Sequence, residues 1–150
     1  MALVVDTNIL LYAVNRGCPE HALCLDFLQG IVAGGDTCFL PENVIYEFLR
    51  VATHPRVFLQ PLRSSEAMSF LEALLSVPCF RVLGATERHW SSLRGIVTEL
   101  GELSGNFFFD VHTAALMREH GVRRIASADR DFAKFAGLEV VNPSRPEPSR

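Results

Sequence analysis

Acidic residues in separate parts of the sequence have the type and placement to bind a divalent metal ion. Carboxylate oxygens favour Mg²⁺ or Mn²⁺ over zinc, for which nitrogen and sulfur ligands are more common. One or two such ions can lower the pKa of a water molecule and bind a phosphate oxygen during an in-line attack. These residue types therefore predict metal-assisted attack on a phosphate ester. The candidate acids are Asp6, Glu47, Asp110, Asp129 and Asp131.

Repulsion among clustered carboxylates is the physical reason to expect a cation. Two carboxylates about 4 Å apart repel each other by roughly 4 kcal/mol at an effective dielectric constant near 20, and a divalent ion removes that cost. A neighbouring carboxylate can also orient or deprotonate the attacking water. Small polar side chains close to the acids are candidates for holding water or substrate: Thr7, Asn8 and Ser127.

The elements that must position these residues alternate along the chain between short apolar runs and amphipathic segments. Strands separated by helical crossovers predict an α/β fold with a short parallel sheet covered by helices on both faces. The predicted strands cover 3–5, 37–40, 79–83, 123–127 and 138–141. The predicted helices cover about 9 onward, 19–33, 41–55, 65–76, 86–100 and 110–121, with a short one after 132.

The sequence predicts one domain followed by a short tail. No repeat, linker or low-complexity block divides the chain, so we expect residues 1–143 to fold together. Prolines and charged residues dominate 144–150, and such a composition predicts a disordered tail.

Strand ends explain why the distant aspartates should meet. In open parallel sheets, binding sites form beyond the carboxyl ends of the strands. Asp6 ends the first predicted strand, and Asp129 and Asp131 directly follow the strand at 123–127. Asp110 opens the predicted helix that leads into that strand. Each aspartate also has a structural alternative, because aspartate is a common helix cap and turn residue.

Glu47 is a carboxylate on the apolar side of a predicted helix. With a helical step of about 100°, it falls within about 60° of Val44 on the face that also carries Phe48 and Val51. A buried carboxylate without a partner costs several kcal/mol or becomes neutral. Glu47 therefore needs a cation. Arg50, one turn further on, and a bound metal are both candidates.

Bulk properties limit the remaining functions. The net charge is −3, without the basic excess typical of proteins that bind nucleic acid through phosphates alone. No apolar run reaches the roughly 18 residues that span a bilayer, and the first residues lack signal-peptide features, so we expect a cytoplasmic protein. The four cysteines include no C-x-x-C pair. Cys18, His21 and Cys24 would lack a fourth zinc ligand.

Three segments, taken in order, resemble the PIN-domain family, and most closely the VapC-type toxins of actinobacterial toxin–antitoxin pairs. They are VVDTNILLYAV, YEFLRVATHPRVF and FFFDVHTAALMREHGVRRIASADRDF. The resemblance runs from Ala2 to about Pro143. It implies a PIN fold and an endoribonuclease that uses Mg²⁺ or Mn²⁺. It also implies the toxic component of a type II toxin–antitoxin system.

The resemblance further implies partners and roles for individual residues. The implied partners are an RNA substrate, a second copy of the chain, and a VapB-type antitoxin that forms a heterotetramer or larger complex. The implied metal ligands and catalytic acids are Asp6, Glu47, Asp110 and Asp129, with Asp131 acting through water. Thr7 matches the small hydroxyl residue that often follows the first acid, and Asn8 follows as usual.

Two other functions compete with this hypothesis. A non-catalytic module would use the same fold only to bind RNA or protein, and the complete acidic set argues against it. A phosphatase would need an aspartate where Asn8 stands. A receiver domain would need a lysine after a late strand, whereas Lys134 is the only lysine in the chain. Both phosphotransfer types therefore fit poorly.

Overall fold

The computed structural model describes residues 1–147, which form a parallel sheet with helices on both faces. The α/β class predicted from the alternating pattern is confirmed. In chain order the elements are β1 Leu3–Val5, α1 Thr7–Val14, α2 His21–Gly34, β2 Cys38–Pro41, α3 Glu42–Ala52, α4 Ser64–Leu75, β3 Phe80–Leu83, α5 His89–Leu100, α6 Phe107–Glu119, β4 Arg124–Ala126, a 3₁₀ helix Arg130–Lys134, and β5 Glu139–Val141.

The five strands lie in the order β3-β2-β1-β4-β5, and all neighbouring pairs are parallel. The register places Val4 opposite Phe39 on one side and opposite Ile125 on the other. From β1 the chain builds outward through β2 and β3, then crosses to the far side of β1 to build β4 and β5. The boundary between β1 and β4 is therefore the topological switch point, where a crevice opens at the carboxyl ends of the strands.

Each face of the sheet carries its own hydrophobic core. Val5 packs with residues of α1 to α4, whereas Val4 packs with residues of α5, α6 and the 3₁₀ helix. Successive strand side chains point to opposite faces, so two adjacent valines supply both cores. Both are completely buried, and burial of such a side chain contributes roughly 1.5–3 kcal/mol. This packing on both sides makes the end of β1 a rigid support for Asp6.

Several helices begin two or three residues away from their predicted starts, and two of them, α1 and α6, border the acids. Helix α1 begins at Thr7 instead of near Ile9, and its N-cap is Asp6, whose Oδ1 accepts a hydrogen bond of 2.8 Å from the Thr7 amide. Helix α6 begins at Phe107, three residues before the predicted start. The ring of Phe107 stacks on Phe135 with centroids 5.3 Å apart, a tertiary contact with no local sequence signal.

The chain after β5 is irregular where the structure describes it. Ser144 donates hydrogen bonds from its backbone amide and its hydroxyl to Oδ1 of Asn142, at 3.0 and 2.6 Å. Residues 148–150 of the predicted disordered tail lie outside the described residues. Within residues 1–147, no helix combines the length and hydropathy needed to cross a membrane.

Candidate active site

A cavity of about 380 Å³ opens at the carboxyl ends of β1 and β4, between α1, α3 and the first turn of α6. All five acids predicted from the sequence line it. The closest group is formed by Asp110, Asp129 and Asp131, each of which offers a carboxylate oxygen within 4.8 Å of the other two. The remaining lining residues are Thr7, Asn8, Leu11, Arg50, Asn106, Phe107 and Phe109.

Asp6 is the most buried acid of the cavity, at 8 % exposure. Its Oδ2 accepts hydrogen bonds from the Ser127 hydroxyl at 2.6 Å and from the Asn8 amide at 3.0 Å. Burial raises the pKa of Asp6 to about 6, even though the bonds from Ser127 and the Thr7 amide favour the charged form. A carboxylate held this way gains from any cation that enters the cavity.

Asn8 and Ser127 form a bracket that joins the start of α1 to the end of β4. The Asn8 side chain donates to the Ser127 hydroxyl at 3.2 Å and accepts from the Ala128 amide at 3.1 Å. The Ser127 hydroxyl also accepts from the Asp129 amide at 3.0 Å. Both residues were expected to hold water or substrate. In the structure their side chains bond each other, Asp6 and backbone amides, and so hold Asp6 in position.

Asp110 lies in the first turn of α6 and is half-buried. The pKa of this carboxyl rises to about 7. Burial is the largest cause, and the other four carboxylates of the cavity add to it in the order Asp129, Asp6, Asp131, Glu47. Without a cation, Asp110 is therefore partly protonated near neutral pH. A divalent ion would replace that proton.

Asp129 and Asp131 line the cavity and also stabilise the turn and the 3₁₀ helix that follow β4. Oδ1 of Asp129 accepts from the Asp131 amide at 2.8 Å and caps the 3₁₀ helix. Oδ1 of Asp131 pairs with the Lys134 ammonium at 2.8 Å. Both aspartates therefore do have the structural role that was considered as an alternative for them. That role uses only Oδ1, and Oδ2 of each has no partner among the described residues. Among the described residues, Asp131 is the one acid of the cavity that forms an ion pair.

Glu47 differs in part from its predicted environment. Val44 and Phe48 are completely buried, but Glu47 is only half-buried because it faces the cavity. Its Oε2 accepts a hydrogen bond of 3.1 Å from the Thr7 hydroxyl. Among residues 1–147, no ion pair joins Glu47 to Arg50, although both line the cavity.

Comparison with known proteins identifies the family to which the chain belongs. The sequence profile of the PIN domain matches residues 3–138. The chain belongs to the PIN-domain family. It is 35 % identical over 141 residues to ribonuclease VapC43 of Mycobacterium tuberculosis, covering 94 % of this chain and 95 % of that relative. It is 36 % identical over 143 residues to ribonuclease VapC33 of the same species, covering 95 % and 99 %.

Solved PIN-domain structures share the fold. VapBC2 from Rickettsia felis, bound to a DNA fragment from its promoter, matches with a TM-score of 0.69 at 18 % identity and covers 95 % of this chain and 98 % of that one. Mycobacterium tuberculosis VapC20, a sarcin-ricin loop cleaving toxin, matches with a TM-score of 0.65 at 21 % identity and covers 92 % and 98 %. The predicted PIN-like architecture is confirmed.

The donor set of this PIN domain fits a hard divalent cation. Every titratable group lining the cavity, apart from Arg50, is a carboxylate, and no histidine or cysteine lines it. Three carboxylate oxygens lie close enough to share one ion, and burial together with the neighbouring carboxylates raises the pKa of Asp110. Oxygen-only sites favour Mg²⁺ or Mn²⁺.

Sequence reasoning missed the apolar wall of the PIN-domain cavity. Leu11 and Phe107 line it together with Phe109, which is 61 % exposed. The signal was present as three consecutive phenylalanines before Asp110. It was overlooked because α6 was predicted to begin only at that aspartate, which placed the phenylalanines in a loop.

Proposed function

We propose that this PIN domain is a metal-dependent endoribonuclease, the toxic component of a type II toxin–antitoxin pair. The observation that carries the proposal is the convergence of five carboxylates on one cavity, with the pKa of Asp110 raised to about 7 by burial and by the other four. The relatives named VapC ribonucleases support RNA as the substrate. This assignment also places the protein in the cytoplasm, where RNA is available.

In the proposed site, Asp6, Glu47, Asp110 and Asp129 would hold Mg²⁺ or Mn²⁺, and Asp131 is a nearby acid that would contact the ion through water. When bound, the ion makes a water molecule more acidic and stabilises charge that develops on the phosphate. Ser127 and Asn8 keep Asp6 oriented through bonds of 2.6 and 3.0 Å.

Glu47 is one of the acids that would orient or deprotonate the attacking water. The Thr7 hydroxyl bonds only Oε2 of Glu47, at 3.1 Å. Oε1 has no partner among the described residues and can accept a proton. Arg50, on the same cavity wall, supplies a positive charge for a phosphate.

The test is cleavage of RNA by purified protein free of antitoxin. We expect cleavage with Mg²⁺ or Mn²⁺, no cleavage with a chelator, and loss of activity in Asp6→Asn and Asp110→Asn while circular dichroism stays unchanged. Asp26→Asn, at an exposed acid of α2, is the matched control and should cut normally. A non-catalytic module would bind RNA without cutting it. If both site variants cut as well as the parent, the assignment of the site is wrong.

A second cavity supports an antitoxin partner. It encloses about 930 Å³ between the α1–α2 loop and the segment before α4. Its lining includes Val57, 58 % exposed, and Leu59, which is fully exposed. Exposed apolar surface of this kind suits the apolar face of a partner helix. Solved neighbours of the fold include a toxin–antitoxin complex from Klebsiella pneumoniae.

We further infer a homodimer that forms a heterotetramer or larger complex with the antitoxin. Co-expression with the product of an adjacent short reading frame, followed by co-purification and measurement of the mass in solution, tests this arrangement. A monomeric toxin that binds no such product would refute it.

A further inference from the structure

One aromatic ring in the cavity wall is without an aromatic partner among the described residues. Phe109 is 61 % exposed and lines the cavity next to Asp110. Phe107, two residues earlier, stacks on Phe135 and has the Lys134 ammonium 5.2 Å from its ring centroid. Among residues 1–147, no aromatic ring stacks on Phe109. The fold therefore uses the first ring and leaves the second open to the cavity.

The charges of the cavity give a polyanion little to bind. Five carboxylates line it, and Arg50 is the one cation among the lining residues. The ammonium of Lys134 is nearby but pairs with Asp131 at 2.8 Å. The whole chain carries a net charge of −3. A divalent ion would bind the phosphate at the cut bond, but among the lining residues only Arg50 remains for the other phosphates, so contacts to the bases would add to substrate binding.

We propose that Phe109 positions RNA by stacking on an unpaired base beside the phosphodiester that is cut. This inference rests on the proposed ribonuclease function. In a helix each residue turns about 100° and rises 1.5 Å, so Phe109 flanks Asp110 within the first turn of α6. A base paired in a duplex keeps its faces stacked on its neighbours, so Phe109 selects an unpaired nucleotide.

Phe108 provides a matched control. It is the same residue type, one position away, and 42 % exposed, but it does not line the cavity. A step of two residues turns its side chain about 200° away from that of Asp110. Phe108→Ala removes the same atoms from the same helix without removing the stacking surface.

The experiment is a double-mutant cycle between the ring and the base. The parent and Phe109→Ala are each assayed with an oligoribonucleotide that is intact, or that lacks one base next to the cleavage site. We expect Phe109→Ala to raise KM roughly 10- to 100-fold, as aromatic–base stacking does elsewhere, and to leave kcat nearly unchanged. Removal of the stacked base should have the same effect on the parent and no further effect on Phe109→Ala.

Two more variants sharpen the result. Phe109→Trp should keep the parent KM because it keeps a stacking face, and Phe108→Ala should keep it as well. If the effects of Phe109→Ala and of base removal on KM multiply at every base position tested, the ring and the base act independently and the inference is overturned. It is also overturned if Phe109→Ala changes only dimerisation or antitoxin binding. If the parent cuts no RNA with either metal, the proposed function itself fails, and the two failures are thus distinguishable.

Discussion

Removal of the Asp6 charge should stabilise the metal-free protein. Asp6 is 8 % exposed, and burial raises its pKa from 3.8 to about 6. The folded protein therefore binds this proton more tightly than the unfolded chain does. The resulting stability is complete below about pH 4 and is lost as the pH rises through about 6. A shift of about two units corresponds to about 3 kcal/mol at neutral pH.

Asp6→Asn recovers part of that free energy. Because asparagine has one acceptor and one donor where Asp6 has two acceptors, it cannot accept all three bonds from Thr7, Asn8 and Ser127. One lost bond costs about 1 kcal/mol, so the net gain is about 2 kcal/mol at neutral pH. At about pH 4, where Asp6 is neutral when folded, the variant should be less stable than the parent.

Urea unfolding with a chelator present, at intervals from about pH 4 to 8, measures this difference. Groups away from the cavity contribute equally to both proteins, so the difference between their free energies of unfolding reports Asp6 together with Asp110, whose pKa the Asp6 charge helps to raise. Mn²⁺ should then stabilise the parent by roughly 2.7 kcal/mol at 100 times its Kd, and the variant by much less. A difference between parent and variant that does not change with pH would refute the account of Asp6 as a strained buried charge.

Two further predictions concern hydrogen bonds to buried acids. Ser127→Ala removes the 2.6 Å bond to Asp6, and calorimetry should show Mn²⁺ binding about 10-fold more weakly while the fold stays intact. An unchanged affinity for Mn²⁺ would show that this bond does not orient Asp6. Glu119, fully buried at its side chain, accepts a 2.5 Å bond from His89, so Glu119→Gln should cost about 3 kcal/mol of unfolding free energy. Glu99→Gln, in an exposed pair, should cost less than about 1 kcal/mol, and equal losses would contradict the role of burial.

The sequence was sufficient to predict those elements whose residue pattern is complete within a few neighbouring positions. Three apolar residues followed by an acid predicted β1 and Asp6 at its end, and the alternation of strands and helices predicted a parallel sheet. The placement of Asp129 and Asp131 after β4 followed from the same pattern. This pattern is enough to predict where the aspartates lie because all strands of a parallel sheet point the same way, so their carboxyl ends meet at one edge of the sheet.

Errors arose where a distant contact outweighed local preference. The start of α6 was placed at Asp110, but packing of Phe107 on Phe135 extends the helix by three residues. Glu47 was placed on the buried stripe of its helix, although it is only half-buried and faces a cavity whose opposite wall comes from other elements. Helical periodicity shows which residues share a face, but it does not show whether that face meets protein or an opening.

The sequence by itself determined which residues are chemically suited to bind a metal, because residue type and position at a strand end are local properties. Only the tertiary structure decided which hydrogen-bond partners each carboxylate has and how deeply it is buried. Asp6 is held by Ser127, 121 residues away, and Glu47 by Thr7, 40 residues away. Burial and mutual repulsion, which raise the pKa of Asp110, exist only once these segments are packed together. The open ring of Phe109 was likewise decided by packing, because its neighbour Phe107 was taken into the core.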